Sequence, residues 1–197
     1  MRSSLWGDWA DLDTAAQWPR YETIARLLHD LRADRAVLDV GCGAALLKRF
    51  LPSTCTYLGL DLSADALSHA GEAIVMQGRA EDCPPIHIET VVFNEMLYYC
   101  ADPVGVFRSL SRHARVVACS IYQRTCRPSW KTRLHHTIDH RVPLTNTHCD
   151  TLIQQAAQDW TLTHDLRLPG DFHVWAATQQ PLEQVAATDC VRLAYRG

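Results

Sequence analysis

Two glycines and one aspartate carry the clearest chemical signal in the sequence. Gly41 and Gly43 stand one residue apart after the apolar run 36–40, and Asp61 follows Gly41 by about 20 positions, a spacing typical of a ribose-binding acid. A glycine leaves room for a ligand close to the backbone, because it has no side chain. The two oxygens of a carboxylate can accept hydrogen bonds from two vicinal hydroxyls. The pattern therefore predicts a turn that binds the adenosine part of a ligand.

A strand, a turn, a helix and a second strand are needed to position these residues. The apolar residues Val37–Val40 predict the first strand, and Ala45–Leu51 predicts the helix after the turn. Tyr57–Leu60 predicts the second strand, which ends at Asp61. A helix that begins at the turn would direct its free N–H groups toward the ligand. An ordinary glycine turn in an α/β protein is the alternative interpretation.

The same stretches resemble a known enzyme family. Val37–Ala45 and Tyr57–Ser63 are similar to the first two motifs of class I S-adenosylmethionine-dependent methyltransferases, and Val91–Tyr99 is similar to their fourth strand and the loop after it. Asp39 stands where the family has an acid near the methionine part of the cofactor. The resemblance extends over about residues 20–120. It implies S-adenosylmethionine as the cofactor, with the glycine turn on its amino acid end rather than on a pyrophosphate.

Ligands of open α/β sheets bind at the carboxyl ends of the strands. A cofactor site is therefore expected in the loops that follow the predicted strands. Together with the resemblance, this rule gives a set of expected cofactor contacts. The set is Asp39, Gly41, Cys42, Gly43, Asp61, Leu62, Ala80, Glu81, Asn94 and Tyr21.

Two positions depart from the family pattern. Arg79 replaces an acid that commonly binds the exocyclic amine of adenine, so Glu81, Asp82 or the backbone at Ala80 would have to make that contact. The stretch could equally be a solvated loop. Ala45 stands where the turn more often has a third glycine, although alanine still allows close packing of helix on strand.

Methyl transfer from a sulfonium is an in-line displacement, in which positioning and exclusion of water supply most of the rate. A neutral amine attacks without help, whereas a phenol or alcohol needs a base within hydrogen-bond reach. Glu95 could hold a substrate amine, accept a proton or face solvent. Tyr98 and Tyr99 could line the pocket or belong to the core. The expected catalytic residues are Glu95, Tyr99, His135 and His136.

The acceptor is expected to be a small molecule. Asn94-Glu95 is not the Asn-Pro-Pro-aromatic motif of enzymes that methylate exocyclic amines of bases or glutamine amides. Met96-Leu97-Tyr98-Tyr99 instead resembles small-molecule N- and O-methyltransferases, including the nodulation-type N-methyltransferases.

The segment 124–149 is rich in histidine and in basic residues. In the family this segment carries substrate contacts, so a histidine here could act as a general base, and the basic residues could bind an acidic substrate or simply face solvent. His136 and His140 are four residues apart, which is a metal-ligand spacing, but no third ligand is evident. No metal is expected, and solvated or structural histidines are the alternative.

Aromatic residues are frequent before the sheet, at Trp6, Trp9, Trp18 and Tyr21. Residues 1–33 are expected to form a helical lid over the cofactor or, alternatively, a helix pinned on the sheet by its aromatic side chains. Trp18 and Tyr21 are three apart and would share one helix face.

Composition excludes several classes of protein. The chain has 197 residues, a net charge of −3 and a pI of about 6.3, so it lacks the basic footprint of a nucleic-acid-binding protein. No apolar run reaches the length of about 18 residues that would span a membrane. The start of the sequence lacks the apolar core of a signal peptide, which favours the cytoplasm. Eight scattered cysteines without a C-x-x-C pair argue against zinc and against a disulfide framework.

Strands that alternate with helices predict an α/β fold with a mainly parallel sheet. The predicted strands are Val37–Val40, Tyr57–Leu60, Glu72–Gln77, Glu89–Asn94, Arg115–Ser120, Trp160–Arg167 and Phe172–Gln179, and the predicted helices are Thr14–Leu31, Ala45–Leu51, Ala64–Ala70, Pro103–Ser111 and Asp150–Asp159. The resemblance implies a three-layer Rossmann-like fold with seven strands, the last one reversed. One domain over residues 1–197 is expected, with a substrate-side insertion at 121–150.

The sequence thus predicts a cytoplasmic S-adenosylmethionine-dependent methyltransferase that acts on a nitrogen or oxygen of a small molecule. Three alternatives remain: a cofactor-binding partner subunit without activity, a nucleotide-sugar or NAD enzyme, and a peptide or protein methyltransferase. Neither a nucleic acid nor a membrane is expected as a partner.

Overall fold

The computed structural model describes residues 17–122, 154, 157–168 and 172–179. Its strands are β1 Ala36–Val40, β2 Thr56–Asp61, β3 Val75–Gln77, β4 Thr90–Asn94, β5 Val116–Tyr122, β6 Thr161–Leu168 and β7 Phe172–Thr178. They form one sheet in the order β3-β2-β1-β4-β5-β7-β6. Every described neighbour pair from β3 to β5 is parallel, whereas β7 runs antiparallel to both β5 and β6. The predicted α/β sheet of seven strands with the last one reversed is confirmed.

The α-helices whose bounds lie within the described residues are α1 Trp18–Asp30, α2 Ala64–Leu67 and α3 Pro103–Ser111. The apolar face of α1, with Ile24 and Leu28, packs on one side of the sheet. Phe107 and Leu110 of α3 pack on the other side. The sheet therefore lies between two helical layers, as expected for a three-layer fold.

The central strands are buried on both faces, as near-continuous apolar runs in parallel sheets usually are. Successive residues of β1 alternate between the two layers: Val37 packs toward α1, and Leu38 packs toward α3. On the α3 side, the Phe93 and Phe107 ring centroids lie 5.3 Å apart, and Trp175 packs 5.9 Å from Phe107. This packing fixes the carboxyl ends of β1 and β4 side by side.

The predicted helix Ala45–Leu51 is wrong. The segment forms a 3₁₀ helix, Leu46–Phe50, and Ala45 at its N-cap has a left-handed backbone with φ 55° and ψ 35°. The free N–H groups that were expected at the start of an α-helix therefore belong to a short 3₁₀ helix.

Other element boundaries differ by a few residues. The third strand begins at Val75 instead of Glu72, and α2 ends at Leu67 instead of Ala70. Ser63 caps α2 as predicted, since its Oγ accepts the Ala66 N–H at 3.2 Å. The predicted helix Asp150–Asp159 lies largely outside the described residues; of the described part, Gln154 is α-helical and Ala157–Asp159 is a 3₁₀ helix.

Within the described part of the chain, no helix has the length and apolar character needed to cross a membrane.

Candidate active site

A cavity of about 490 Å³ lies at the carboxyl ends of β1, β2 and β4. Its volume is within the range of small-molecule sites. Most of the sequence-predicted cofactor residues lie in its wall: Tyr21, Gly41, Cys42, Gly43, Asp61, Leu62, Ala80, Glu81 and Asn94. Glu95 and Tyr99, which were predicted to be catalytic, border the same cavity. The fold thus brings together residues from five separate stretches of sequence.

The glycine turn is tied to the neighbouring strand by its backbone. The N–H groups of Gly41 and Cys42 both donate to the Leu60 carbonyl, at 2.7 and 3.1 Å. Gly41 and Gly43 have φ angles of 75° and 53°, a region that favours glycine. A Cβ on Gly41 would lie only 2.5 Å from Cβ of Met96, so Gly41 also permits the loop after β4 to pack against the turn.

Asp61 is oriented by two backbone donors. Its Oδ2 accepts the Gly43 N–H at 2.9 Å, and its Oδ1 accepts the Ser63 N–H at 2.8 Å. A carboxylate oxygen can accept two hydrogen bonds, so both oxygens keep an acceptor site for a ligand hydroxyl. The carboxylate therefore joins the glycine turn to the end of β2 and borders the cavity with acceptor sites left for ligand hydroxyls.

Asp39 lies behind the cavity wall rather than in it. Its side chain is buried, and the Tyr57 hydroxyl donates to its Oδ2 at 2.7 Å. Its Oδ1 is a buried oxygen without a hydrogen-bond partner among the described residues. Burial raises the pKa of Asp39 to about 7, against the hydrogen bond from Tyr57, which lowers it. Asp39 does not border the cavity, and its contact with the cofactor stays a prediction.

Arg20 is a functional candidate that the sequence interpretation missed. Its guanidinium borders the cavity although only 3% of the residue is exposed. Nη2 donates to the Tyr21 hydroxyl at 2.8 Å, and the guanidinium carbon lies 4.6 Å from the Tyr21 ring centroid and 5.0 Å from that of Phe172. Nε has no partner among the described residues, and no carboxylate there forms an ion pair with this cation.

A signal for Arg20 does exist in the sequence. The residue precedes Ile24, Leu27, Leu28 and Leu31 at helical spacing, so it falls on the apolar face of α1. A charged side chain on such a face is seldom fully buried without a partner, which makes it a candidate for ligand binding.

A small polar network closes the end of β4. Glu95 has a left-handed backbone with φ 57°, and its N–H donates to the Ser120 carbonyl at 3.1 Å. The Tyr98 hydroxyl donates to Glu95 Oε2 at 2.7 Å. The Ser120 hydroxyl proton is shared between Asn94 Oδ1 at 2.6 Å and Glu95 Oε1 at 3.0 Å. Burial and then the charge of Glu95 raise the pKa of Tyr98 well above its ordinary value, so this hydroxyl remains a donor.

The predicted adenine loop follows β3. Glu81 Oε1 accepts the Ala101 N–H at 3.1 Å and lies 3.7 Å from Nη2 of Arg79. Arg79 Nε is also 4.0 Å from Asp82 Oδ2. Both ion pairs are partly exposed, so each is worth at most about 1 kcal/mol. Arg79 is therefore held beside the cavity by the acids that follow it, while Glu81 links this loop to the segment after β4.

Several predicted residues lie outside the described part of the chain. These are His135, His136 and the rest of the histidine-rich segment, together with Trp6 and Trp9. Of the adjacent tyrosines, Tyr98 is buried in the core, and Tyr99 borders the cavity. Among the described residues, no group of three metal-ligating side chains occurs.

Comparison with known families shows a match to the model described as "Methyltransferase domain", over residues 10–168. This match covers most of the chain. No curated protein sequence matches the chain at a significant level.

Solved structures with the same fold include several methyltransferases. The N-methyltransferase NodS from Bradyrhizobium japonicum WM9, in complex with S-adenosylhomocysteine, is 14% identical with a TM-score of 0.68 over 87% of this chain and 91% of that one. The plantazolicin methyltransferase BpumL, in complex with a triazolic desmethylPZN analog and S-adenosylhomocysteine, is 12% identical with a TM-score of 0.66 over 87% and 88%. A methyltransferase from Aquifex aeolicus is 14% identical with a TM-score of 0.62 over 87% and 97%.

Proposed function

The chain belongs to the class I S-adenosylmethionine-dependent methyltransferases, and we propose that it methylates a nitrogen or oxygen atom of a small molecule. The observation that carries this proposal is the arrangement of charges around the cavity. The Arg20 guanidinium and the Glu95 carboxylate border it beside β1 and β4, and Asp61 borders it at the end of β2. A cavity of about 490 Å³ that would also bind the cofactor leaves room for a small acceptor only.

The residues present fit the cofactor by their donor and acceptor chemistry. Asp61 would bind the ribose hydroxyls, since its two oxygens are already held in place by backbone N–H groups. Arg20 would bind the methionine carboxylate, because its buried Nε lacks a partner among the described residues and a guanidinium forms strong bonds to carboxylates. Leu62, which is 62% exposed at the cavity rim, would pack against the adenine ring. When bound, S-adenosylmethionine supplies a methyl group activated by its positively charged sulfur.

The chain's own contribution to the reaction is positioning. Tyr21 and Tyr99 form parts of the cavity wall and would exclude water from the reacting atoms. Asn94 and Glu95, held through Ser120, would orient the acceptor.

The free thiols of Cys42, Cys55 and three further described cysteines agree with a cytoplasmic location.

The first test is calorimetric titration with S-adenosylhomocysteine. We expect the wild type to bind it and not NAD, and Asp61→Ala to lose at least about 100-fold in affinity, because two ribose hydrogen bonds to a charged group disappear. Asp65→Asn is the matched control: it removes an exposed carboxylate four residues away and leaves affinity unchanged. Circular dichroism checks that both variants remain folded.

The second test is transfer of a labelled methyl group to a panel of small amines, phenols and carboxylates. Methylation of at least one class supports the proposal. A wild type that binds S-adenosylhomocysteine but labels only a peptide or protein would contradict the small-molecule acceptor. One that labels nothing would favour a cofactor-binding partner subunit without activity.

A further inference from the structure

The carboxylate of Glu95, at the cavity wall after β4, is held in a fixed orientation by hydrogen bonds to both of its oxygens. We propose that Glu95 binds the nitrogen of the acceptor and takes up its proton, so that the acceptors of this enzyme are amines. This inference rests on the proposed function and names the substrate class of the same site.

The position of Glu95 follows from the order of the strands. The loops that would hold ribose and adenine follow β2 and β3, on one side of β1, and Glu95 follows β4 on the other side. Met96, the next residue, packs directly against Gly41 of the glycine turn. Asp61 on the β2 side is assigned to the ribose, so the methyl group and the acceptor are placed on the β4 side of the cavity, where Glu95 borders it.

Three elements hold the Glu95 carboxylate in place. Its left-handed backbone costs a residue with a side chain about 1 kcal/mol, and such strain persists only where surrounding structure imposes it. The bond from its N–H to the Ser120 carbonyl fixes the backbone to β5. The hydroxyls of Tyr98 and Ser120 donate to the two carboxylate oxygens at 2.7 and 3.0 Å. Hydrogen bonds of this kind stabilise the charged form of a carboxylate.

The charge of Glu95 favours an amine over other acceptors. An aliphatic amine is a cation near neutral pH and can donate N–H bonds to a carboxylate, whereas a carboxylate acceptor would be repelled. Arg20, the cation that shares this part of the cavity, is assigned to the cofactor carboxylate, and Arg79 is held by Glu81 and Asp82. The sulfonium charge alone would repel an ammonium group, and Glu95 offsets that repulsion.

The proposed step is balanced. The ammonium group gives one proton to Glu95, and the nitrogen lone pair that is released forms the bond to the methyl carbon. The carbon–sulfur bond breaks, and its electron pair stays on the sulfur. The products are a methylated ammonium ion and S-adenosylhomocysteine, and the proton on Glu95 passes to solvent through the cavity opening.

The test uses Glu95→Gln with benzylamine, benzyl alcohol and benzoate as size-matched probes. Glutamine keeps the shape of the side chain and removes its charge. We expect the wild type to methylate benzylamine and not benzoate. We expect the variant to lose about 10–100-fold in kcat/KM for benzylamine, the value of a hydrogen bond to a charged group. By calorimetry, benzylamine should bind to the wild-type complex with S-adenosylhomocysteine and not to the complex of the variant.

Two further variants complete the design. Tyr98→Phe removes one hydroxyl donor and should reduce kcat/KM for benzylamine by about 3–10-fold, since one hydrogen bond is lost. Glu72→Gln removes an exposed carboxylate far from the cavity wall and should change nothing. Unchanged affinity of Glu95→Gln for S-adenosylhomocysteine shows that the effect concerns the acceptor.

The outcomes separate this inference from the proposed function. Transfer to benzyl alcohol or to benzoate but not to benzylamine overturns the amine assignment and leaves methyl transfer to small molecules intact. Equal kcat/KM of wild type and Glu95→Gln for benzylamine overturns the role of Glu95. A wild type that transfers methyl to none of these acceptors contradicts both.

Discussion

The two sides of the cavity are built in different ways. On the β2 side, Asp61 is fixed by N–H groups of Gly43 and Ser63, which lie within about 20 positions of it and belong to adjacent loops. On the β4 side, Arg20, Glu95 and Ser120 come from α1, the loop after β4, and β5. The first side is local in sequence and held by backbone. The second is non-local and held largely by side chains.

The largest effect is expected where the two sides touch, at Gly41. Gly41→Ala adds a Cβ only 2.5 Å from Cβ of Met96 and imposes a left-handed backbone, which together cost about 2–5 kcal/mol. We expect lower thermal stability and loss of S-adenosylhomocysteine binding by calorimetry.

Gly43→Ala is the matched control for Gly41→Ala. It imposes the same backbone strain, but its Cβ would meet no atom within 4 Å, so the cost is only about 1–2 kcal/mol. Equal losses of stability in the two variants would show that contact with the β4 loop is unimportant, and the division of the cavity into two sides would lose its physical basis.

A second prediction concerns Asp39, which lies in β1 between the two sides. Its folded-state pKa of about 7 is above its ordinary value of 3.8, so the folded protein keeps a proton that the unfolded chain releases. Protonation of Asp39 adds a few kcal/mol to the free energy of unfolding below about pH 4. This contribution is lost as the pH rises to about 7.

Urea unfolding at intervals from pH 4 to 8 measures this contribution. The free energy of unfolding of the wild type, taken relative to that of Asp39→Asn, should fall with rising pH over this range, because the amide does not titrate. A difference that stays constant with pH would mean that Asp39 is solvated enough to ionise freely. Ionisation of the buried Asp39 carboxyl would then not lower the free energy of unfolding.

A third prediction sharpens the non-local side. Arg20→Met should weaken S-adenosylhomocysteine binding by about 2 kcal/mol, the value of a hydrogen-bonded charged pair, and leave binding of 5′-methylthioadenosine unchanged, since that compound lacks the carboxylate. Methionine also removes a buried cation without a carboxylate partner in the described part of the chain, so the unliganded protein should not lose stability.

Arg26→Met is the matched control for Arg20→Met, because Arg26 is exposed on the same helix. It should change neither affinity. If Arg20→Met weakened both ligands equally, Arg20 would support the cavity wall instead of recognising a carboxylate, and the charge pattern proposed for the β4 side would be wrong.

The same division explains what could be predicted from the sequence. The strands, the place of Asp61 at the end of β2 and the cap at Ser63 depend on neighbouring residues, and the structure places them as predicted, whereas the ribose-binding role of Asp61 stays a prediction. Arg20 and Ser120 were missed, because their roles depend on which faces α1 and β5 present to the cavity. The helix at Ala45–Leu51 was mispredicted, since apolar spacing does not reveal a left-handed alanine.

That alanine gives the smallest predicted effect. Ala45 has φ 55°, so Ala45→Gly relieves about 1 kcal/mol of backbone strain. The residue is also buried in the core under α1, and loss of its methyl group costs about 0.8 kcal/mol. The two contributions nearly cancel, and thermal unfolding should show a change within about 0.5 kcal/mol, far less than for Gly41→Ala. A clear gain in stability would mean that the methyl group packs poorly, whereas a clear loss would mean that packing at this turn outweighs its backbone conformation. In the second case the third position of the turn would be set by the core, whereas the first is set by the contact with the β4 side.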